Sequence, residues 1–319
     1  MRAAARRGEW RGSTGGQCSA YQQANLVILP QEAALEFAAF CTRNPKPCPL
    51  IEITPPGDPQ PARSAPGADL RTDLPGYCVY RRGELVEQRG EIRDLWRDDL
   101  VGFLLGCSLT FEHALIEAGV GVRNVELGTL VPMFISNLLC RPAGRFHGPI
   151  VVTMRPITET QVRLVGEVCT RYPHAHGTPL HVGSPQAIGI ADLGRPDYGD
   201  PVPIHPGEVP VFWACGVTPQ AVALEARPEL MITHEPGIMF LTDLPRDGEV
   251  RLRDERSCRA AQKSGLGSGR VGLRIGSGGG TSSSTASQPH SSNGSTVRAK
   301  SAIRSTRTGD CISVSLSMR

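Results

Sequence analysis

The sequence predicts a mixed α/β fold of the α+β kind, with two subdomains built on mixed β-sheets flanked by helices. Three observations predict this. Short apolar runs bounded by proline or glycine alternate with stretches of helical periodicity, and the alternation is irregular. The chain contains 27 prolines, which argues against a simple doubly wound sheet. Its 319 residues are enough to bury the core of one large domain or two ordinary ones.

The first half of the chain alternates strands and a helix. "ANLVILP" (Ala24–Pro30) is an apolar, β-forming run that ends in proline, so it predicts a strand. The next segment, "QEAALEFAAFCTRN", has apolar residues at helical spacing and ends before Pro45, which predicts a helix. "CPLIEIT" predicts a second strand, and "YCVYRRGELVEQRGEI" predicts a hairpin with Arg82-Gly83 at its turn.

The second half begins with a long apolar segment. Residues 94–119 indicate one or two helices whose apolar face holds Trp96, Leu100, Phe103 and Leu104. Beyond it, "PIVVTM" and "VPVFWAC" predict strands, and "TETQVRLVGEVCTRY" predicts a helix.

Charge and composition divide the chain near residue 250. Residues 251–319 contain 12 Lys+Arg against 3 Asp+Glu, 16 Ser and no aromatic residue, whereas residues 1–250 carry a net charge of −6. We therefore expect one domain over 1–250, with two subdomains divided near 115–205, and a disordered tail over 251–319. A shift of reading frame after about residue 248 is an alternative explanation of the tail. The overall charge of +3 averages two unlike parts and does not indicate a nucleic-acid partner.

The ten cysteines are scattered, without a C-x-x-C pair or zinc spacing, so we expect no metal and a cytoplasmic protein with free thiols. No apolar run approaches the length of a membrane span, and no membrane partner is expected. Whether the chain forms a homo-oligomer is left open.

Two cationic segments are candidates for binding an acidic small molecule. "PGADLRTDLPGY" places Arg71 between Asp69 and Asp73 at alternate positions, which fits either a carboxylate clamp or a structural ion pair. "CRPAGRFHGPIVVTMRP" places several cations, among them Arg145 and Arg155, at both ends of a strand within an acidic body. A local cationic site of this kind is what an anionic substrate requires.

A cysteine and a histidine are further candidates for functional residues. Cys215 follows a predicted strand and precedes a glycine, which suits a nucleophile, an anion-binding turn or a buried thiol. His234 and Asp243 bracket a Pro-Gly turn and could pair across a hairpin.

Taken together, the segments "QANLVILP", "FCTRNPKPCPLIEIT", "PGADLRTDLPGY", "LWRDDLVGFLLGCS", "CRPAGRFHGPIVVTMRP", "HGTPLHVG", "VPVFWACGVTPQ" and "ITHEPGIMFLTDL" resemble, in order, the D-glutamate cyclase family. The resemblance extends from about residue 8 to residue 247. It implies a hydro-lyase that removes water from D-glutamate to form 5-oxo-D-proline without a cofactor.

The implied chemistry assigns substrate-binding roles to five residues. Glutamate carries two carboxylates, for which Arg71, Arg145 and Arg155 are the candidate donors. Asn25 is a candidate for the α-amino or α-carboxylate group, and Thr218 for the oxyanion.

The same chemistry needs proton transfer. The substrate ammonium must lose a proton before it attacks, and Asp73 or His147 could serve as general base. The turn that begins at Cys215 could help the departing oxygen, which makes Cys215 the third catalytic candidate.

Two alternatives accompany this interpretation. One is a racemase-like enzyme in which Cys107 and Cys215 face each other as acid and base, which requires lowered thiol pKa values. The other is a non-catalytic protein that binds an acidic metabolite.

Overall fold

The computed structural model describes residues 1–247, 302–308 and 311–317, and it contains both helices and antiparallel sheets, as the predicted class requires. The helices are α1 (Arg2–Arg6), α2 (Gln31–Arg43), α3 (Leu109–Glu117), α4 (Arg123–Leu127), α5 (Val162–Thr170) and α6 (Val217–Glu225). The strands are β1 (Tyr21–Pro30), β2 (Leu50–Ile53), β3 (Tyr77–Arg81), β4 (Glu84–Arg89), β5 (Leu100–Gly106), β6 (Met133–Leu139), β7 (Pro149–Thr158), β8 (His181–Val182), β9 (Glu208–Ala214), β10 (Met231–His234), β11 (Phe240–Pro245), β12 (Ala302–Thr308) and β13 (Cys311–Ser317).

The first sheet has seven antiparallel strands centred on β1. Its order is β2-β5-β1-β10-β3-β4, and β11 also pairs with β1. Successive residues of β1 point to opposite faces, and both faces are buried. Val27 packs with Phe37 of α2 on one face, whereas Leu26 packs with Leu70 on the other. β1 is therefore a central strand that is covered on both sides.

The second sheet has four antiparallel strands in the order β6-β7-β9-β8. β9 pairs with β7 along its full length, and Val152 lies opposite Ala214 at the end that leads into α6. Trp213 of β9 is fully buried with Phe111 of α3. α3 follows β5 of the first sheet, so this core joins a helix of one sheet to a strand of the other.

The predicted helices over residues 94–119 are partly wrong. Residues Leu100–Gly106 form β5, and only α3 is an α-helix within that range. β5 lies between β1 and β2 and is buried at every position. A strand covered on both faces is apolar throughout, so its sequence lacks the alternation that distinguishes a strand from a buried helix.

The other predicted elements are present with adjusted ends. β1 begins at Tyr21, before the predicted Ala24, and β7 continues to Thr158 beyond "PIVVTM". The hairpin of β3 and β4 turns at Arg82 and Gly83, which have φ angles of 51° and 87°. The second of these is a backbone conformation that glycine adopts readily.

The tail contains one described feature, an antiparallel hairpin of β12 and β13 with Thr308 opposite Cys311. The rest of the predicted disordered tail over 251–319 lies outside the described residues. The domain boundary near 250 and the division near 115–205 stay predictions. None of the helices that the structure describes is both long and apolar enough to cross a membrane.

Candidate functional site

Two strand ends meet at Asn25 in the middle of β1. β5 ends at Gly106, whose carbonyl accepts a hydrogen bond from Asn25 Nδ2 at 2.9 Å. β9 ends one residue before Cys215, and Gly216 follows. A Cβ on Gly216 would lie 2.1 Å from Asn25 Nδ2, so only glycine allows this close approach. The predicted site residues Asn25 and Cys215 therefore lie together.

Both strand ends lead into a helix by the same local arrangement. Cys107 precedes α3 by two residues, and its thiol takes a hydrogen bond from the backbone N–H of Leu109. Cys215 precedes α6 by two residues, and its Sγ lies 3.5 Å from the backbone nitrogen of Val217, which donates to it. The two thiols are close enough that a charge on Cys215 would raise the pKa of Cys107. We call the group Asn25, Cys107, Glu112, Arg155, Cys215 and Thr218 the central cluster.

The thiols of the central cluster are neutral at physiological pH. Burial raises the pKa of Cys107 to about 12 and that of Cys215 to about 11. A thiol must lose its proton to act as a base or nucleophile. The racemase interpretation requires lowered thiol pKa values, whereas burial raises the pKa of both thiols. A protonated thiol can still donate a proton.

A buried ion pair lies beside the thiols. Arg155 is 1% exposed, and its Nη2 and Nε both donate to Oε1 of Glu112 on α3. The guanidinium also donates to Ser108 and Thr153 at 3.0 and 3.1 Å. It stacks near the rings of Phe111 and Trp213, with centroids 5.3 and 5.4 Å away.

The carboxylate of Glu112 is oriented by these contacts. Asn124 Nδ2 donates to the same Oε1 at 3.3 Å, so the recorded hydrogen bonds of Glu112 converge on one oxygen. The charge of Glu112 raises the pKa of Cys107, and that of Arg155 lowers it. The charges of Glu112 and Arg155 therefore influence the pKa values of the neighbouring thiols. Cys107 is partly exposed, whereas the other members of the central cluster are buried.

Thr218 is fully buried at the start of α6. Its Oγ1 accepts from the backbone nitrogen of Val151 at 3.0 Å and donates to the carbonyl of Val151 at 3.2 Å. Both contacts fix α6 to β7. Thr218 therefore holds the Cys215 turn in place through the backbone of its neighbour strand.

His234 of β10 lies next to the cluster. Its Nδ1 lies 3.2 Å from the backbone nitrogen of Leu26 and 2.9 Å from Nε2 of Gln220 on α6, and both are donors. Nδ1 also lies 3.4 Å from the carbonyl oxygen of Leu26, so these contacts suit either tautomer of the ring. Burial lowers the pKa of His234 to about 4. Asp243, the partner suggested by sequence, pairs instead with Arg2.

The structure does not bring the three predicted arginines together. Arg155 pairs with Glu112, while Arg145 pairs with Glu36 of α2 at 3.3 Å. Arg71 pairs with Asp69 at 2.9 Å, its neighbour in sequence. The expected joint clamp on a substrate carboxylate is therefore absent from the described residues, because each guanidinium is held by its own carboxylate.

The two predicted general bases also lie outside the central cluster. Asp73 is fully buried and accepts two hydrogen bonds from Arg6, at 2.7 and 2.6 Å. The backbone nitrogen of Asp73 bonds to the carbonyl of Asp69, so this segment is a turn and not the extended chain that was expected. His147 is exposed in the connection between β6 and β7. Their catalytic roles stay predictions that the geometry does not favour.

Sequence reasoning missed Glu112 and Ser108 as partners of Arg155. Both lie at the start of α3, four residues apart, in a segment where no pattern marks a buried charge. A carboxylate in an otherwise apolar stretch was the available signal, because a buried charge requires a partner. Among the residues described, no group of three or more His, Cys, Asp or Glu side chains is arranged to hold a metal ion.

Comparisons with known proteins cover the region of the central cluster. The family described as D-glutamate cyclase matches residues 101–243, which contain every cluster member except Asn25. A protein named "Putative hydro-lyase" from Geobacillus kaustophilus is 57% identical over 77% of this chain and 93% of its own length. Proteins with the same name from Rubrobacter xylanophilus and Bacillus subtilis are 59% and 52% identical, over 77% and 76% of this chain and 95% of their own lengths.

Proposed function

The chain belongs to the D-glutamate cyclase family, and from that premise we propose that it is a hydro-lyase that converts D-glutamate to 5-oxo-D-proline and water. The observation that carries the proposal is the meeting of the two Cys turns at Asn25, beside the buried pair of Arg155 and Glu112. This arrangement supplies a proton acceptor and a proton donor within one cluster. The proposal includes no cofactor.

The reaction is a balanced transfer of protons. The substrate ammonium loses two protons as its nitrogen bonds to the γ-carboxyl carbon, and the departing oxygen gains two as it leaves as water. The group that removes protons must be ionised, and the group that supplies them must be protonated. Both requirements are met at neutral pH by one carboxylate and one neutral thiol.

Glu112 acts as the general base in this proposal. Arg155 fixes the position of its carboxylate through hydrogen bonds that end on Oε1. The second oxygen takes the proton from the substrate ammonium. Arg155 is therefore a positioning residue for the base.

Cys215 acts as the general acid. Burial raises its pKa to about 11, so the thiol keeps its proton at neutral pH and can give it to the departing oxygen. Asn25 contacts Gly216 of the same turn and lies where it can orient the substrate amino or carboxylate group. Glu112 passes the proton that it took from the nitrogen to the thiolate, and a second transfer by the same route supplies the second proton of the departing water.

Incubation of the protein with D-glutamate in deuterated water tests the proposal by proton NMR. We expect resonances of 5-oxoproline to grow without loss of the α-proton signal of the substrate. Exchange of the α-proton for deuterium without ring closure would indicate racemase chemistry. Saturable binding without either change would indicate a non-catalytic protein that binds an acidic metabolite.

A further inference from the structure

A second candidate site lies at the N-terminal end of the chain. A cavity of about 340 Å³ is bounded there, and its walls include Arg6, Arg7, Trp10, Arg11, Arg89 and Glu91. None of these residues belongs to the central cluster, and all precede residues 101–243. The volume lies within the range of pockets that hold small ligands.

The walls of this N-terminal cavity are rich in guanidinium groups. Three of its four arginines have carboxylate partners: Arg6 with Asp73 at 2.6 Å, Arg7 with Glu9 at 2.8 Å and Arg89 with Asp94 at 2.8 Å. The single carboxylate of the wall, Glu91, is itself paired with Arg93. The charges of these residues therefore balance locally.

Arg11 differs from the other three. Among the residues that the structure describes, it forms neither an ion pair nor a hydrogen bond, yet it lines the cavity. Its guanidinium rests against Gly90, where an added Cβ would lie 3.1 Å from Nη1. Arg11 thus brings one uncompensated positive charge and its full set of donors to the wall.

The segment that carries Arg11 is tied to the body on both sides of it. Before it, Arg2 forms two hydrogen bonds of 2.8 Å with Asp243. After it, Thr14 accepts a hydrogen bond of 2.8 Å from the backbone nitrogen of Met239. The cavity is therefore formed before a ligand arrives, which reduces the entropy lost on binding.

We propose that this N-terminal cavity binds a small oxyanion, through a phosphate or carboxylate group that takes hydrogen bonds from Arg11. The planar guanidinium matches two oxygens of either group at once. The ring of Trp10 supplies an apolar wall beside the charge. The site is independent of the proposed hydro-lyase chemistry, since it shares no residue with the central cluster.

Titration of the full chain by calorimetry at low ionic strength tests this site, with inorganic phosphate in one arm and glutarate in the other. We expect saturable binding of at least one anion, weakened tenfold or more by Arg11→Gln. Arg163→Gln is the matched control, because Arg163 is a highly exposed arginine on α5 that pairs only with Glu167 among the described residues. It should leave the affinity unchanged.

A second variant tests the cavity without removing charge. Gly90→Leu places a side chain against Arg11 and inside the space, so it should weaken binding at least as strongly as Arg11→Gln. Binding of phosphate alone or of glutarate alone identifies the oxyanion, and both outcomes support the site. The proposal is overturned if the wild-type chain binds neither anion at millimolar concentration, or if both variants bind as tightly as the wild type.

Discussion

The central cluster and the N-terminal cavity use arginine in opposite ways. In the cluster, Arg155 is 1% exposed and donates to Glu112, Ser108 and Thr153. In the cavity, Arg11 is exposed and contacts no carboxylate among the described residues. A buried cation that is fully paired orients a neighbouring group, whereas an exposed cation without a partner is free to bind a ligand.

This difference shows why a local excess of arginine in the sequence did not identify one binding site. The guanidiniums of Arg71, Arg145 and Arg155 are each satisfied by a different carboxylate. In the N-terminal cavity, Arg11 has no carboxylate partner among the described residues.

The largest expected contrast is in thiol reactivity. Cys18 of the N-terminal segment is exposed, whereas burial raises the pKa of Cys215 to about 11. Because alkylation proceeds through the thiolate, we expect iodoacetamide at pH 7.5 to modify Cys18 at least about a hundredfold faster than Cys215. Mass spectrometry of peptides over time measures both rates. Equal rates would mean that Cys215 is ionised and cannot act as the acid.

The second contrast is in how much the ion pairs of each region contribute to the free energy of unfolding. Glu112→Gln leaves the guanidinium of Arg155 buried without its counter-charge, so we expect a loss of about 3–5 kcal/mol in the free energy of unfolding. Glu9→Gln breaks the exposed pair with Arg7 and should leave the urea midpoint unchanged.

A double variant separates charge from packing in the same experiment. Glu112→Gln combined with Arg155→Met removes both charges, and it should recover part of the loss seen with Glu112→Gln alone. If the double variant is no more stable than the single one, an unpaired charge is not the cause of the loss.

The smallest expected effect is in the pH dependence of stability. Burial lowers the pKa of His234 to about 4, below its usual value in an unfolded chain. The unfolded state then binds the proton more tightly, so the stabilisation is complete above about pH 6.5 and is lost as the pH falls towards 4. The loss is on the order of 3 kcal/mol for this side chain.

Urea unfolding between pH 4 and 7 measures this dependence. His234→Gln should flatten the curve, whereas His113→Gln, at a half-buried position on α3, should leave it unchanged. A wild-type curve of the same shape as that of His234→Gln would show that His234 does not titrate with a lowered pKa.

The sequence predicts well the secondary-structure elements that depend on a local pattern of residues. β1 and α2 follow from an apolar run, a proline and helical spacing, and Asn25 and Cys215 were chosen because they lie on or after predicted strands. β5 was missed because burial on both faces removes the alternation that marks a strand.

Ion pairs were the part that the sequence could not predict. Arg155 and Glu112 are 43 positions apart, and Arg145 and Glu36 are 109 apart, so their pairing depends on the packing of distant elements. The alternation of Asp69, Arg71 and Asp73 predicted a local ion network for the same reason. In the structure Asp73 pairs instead with Arg6, which is 67 positions away.

The rate of 5-oxoproline formation in Cys215→Ser tests the central claim most directly. The serine hydroxyl is a much weaker acid than the thiol, so we expect kcat to fall by about 10²–10⁴-fold while the protein stays folded. Cys78→Ser, at a buried thiol on β3 outside the cluster, is the matched control and should keep the wild-type rate. Equal rates in the two variants would contradict the assignment of the reaction to the central cluster.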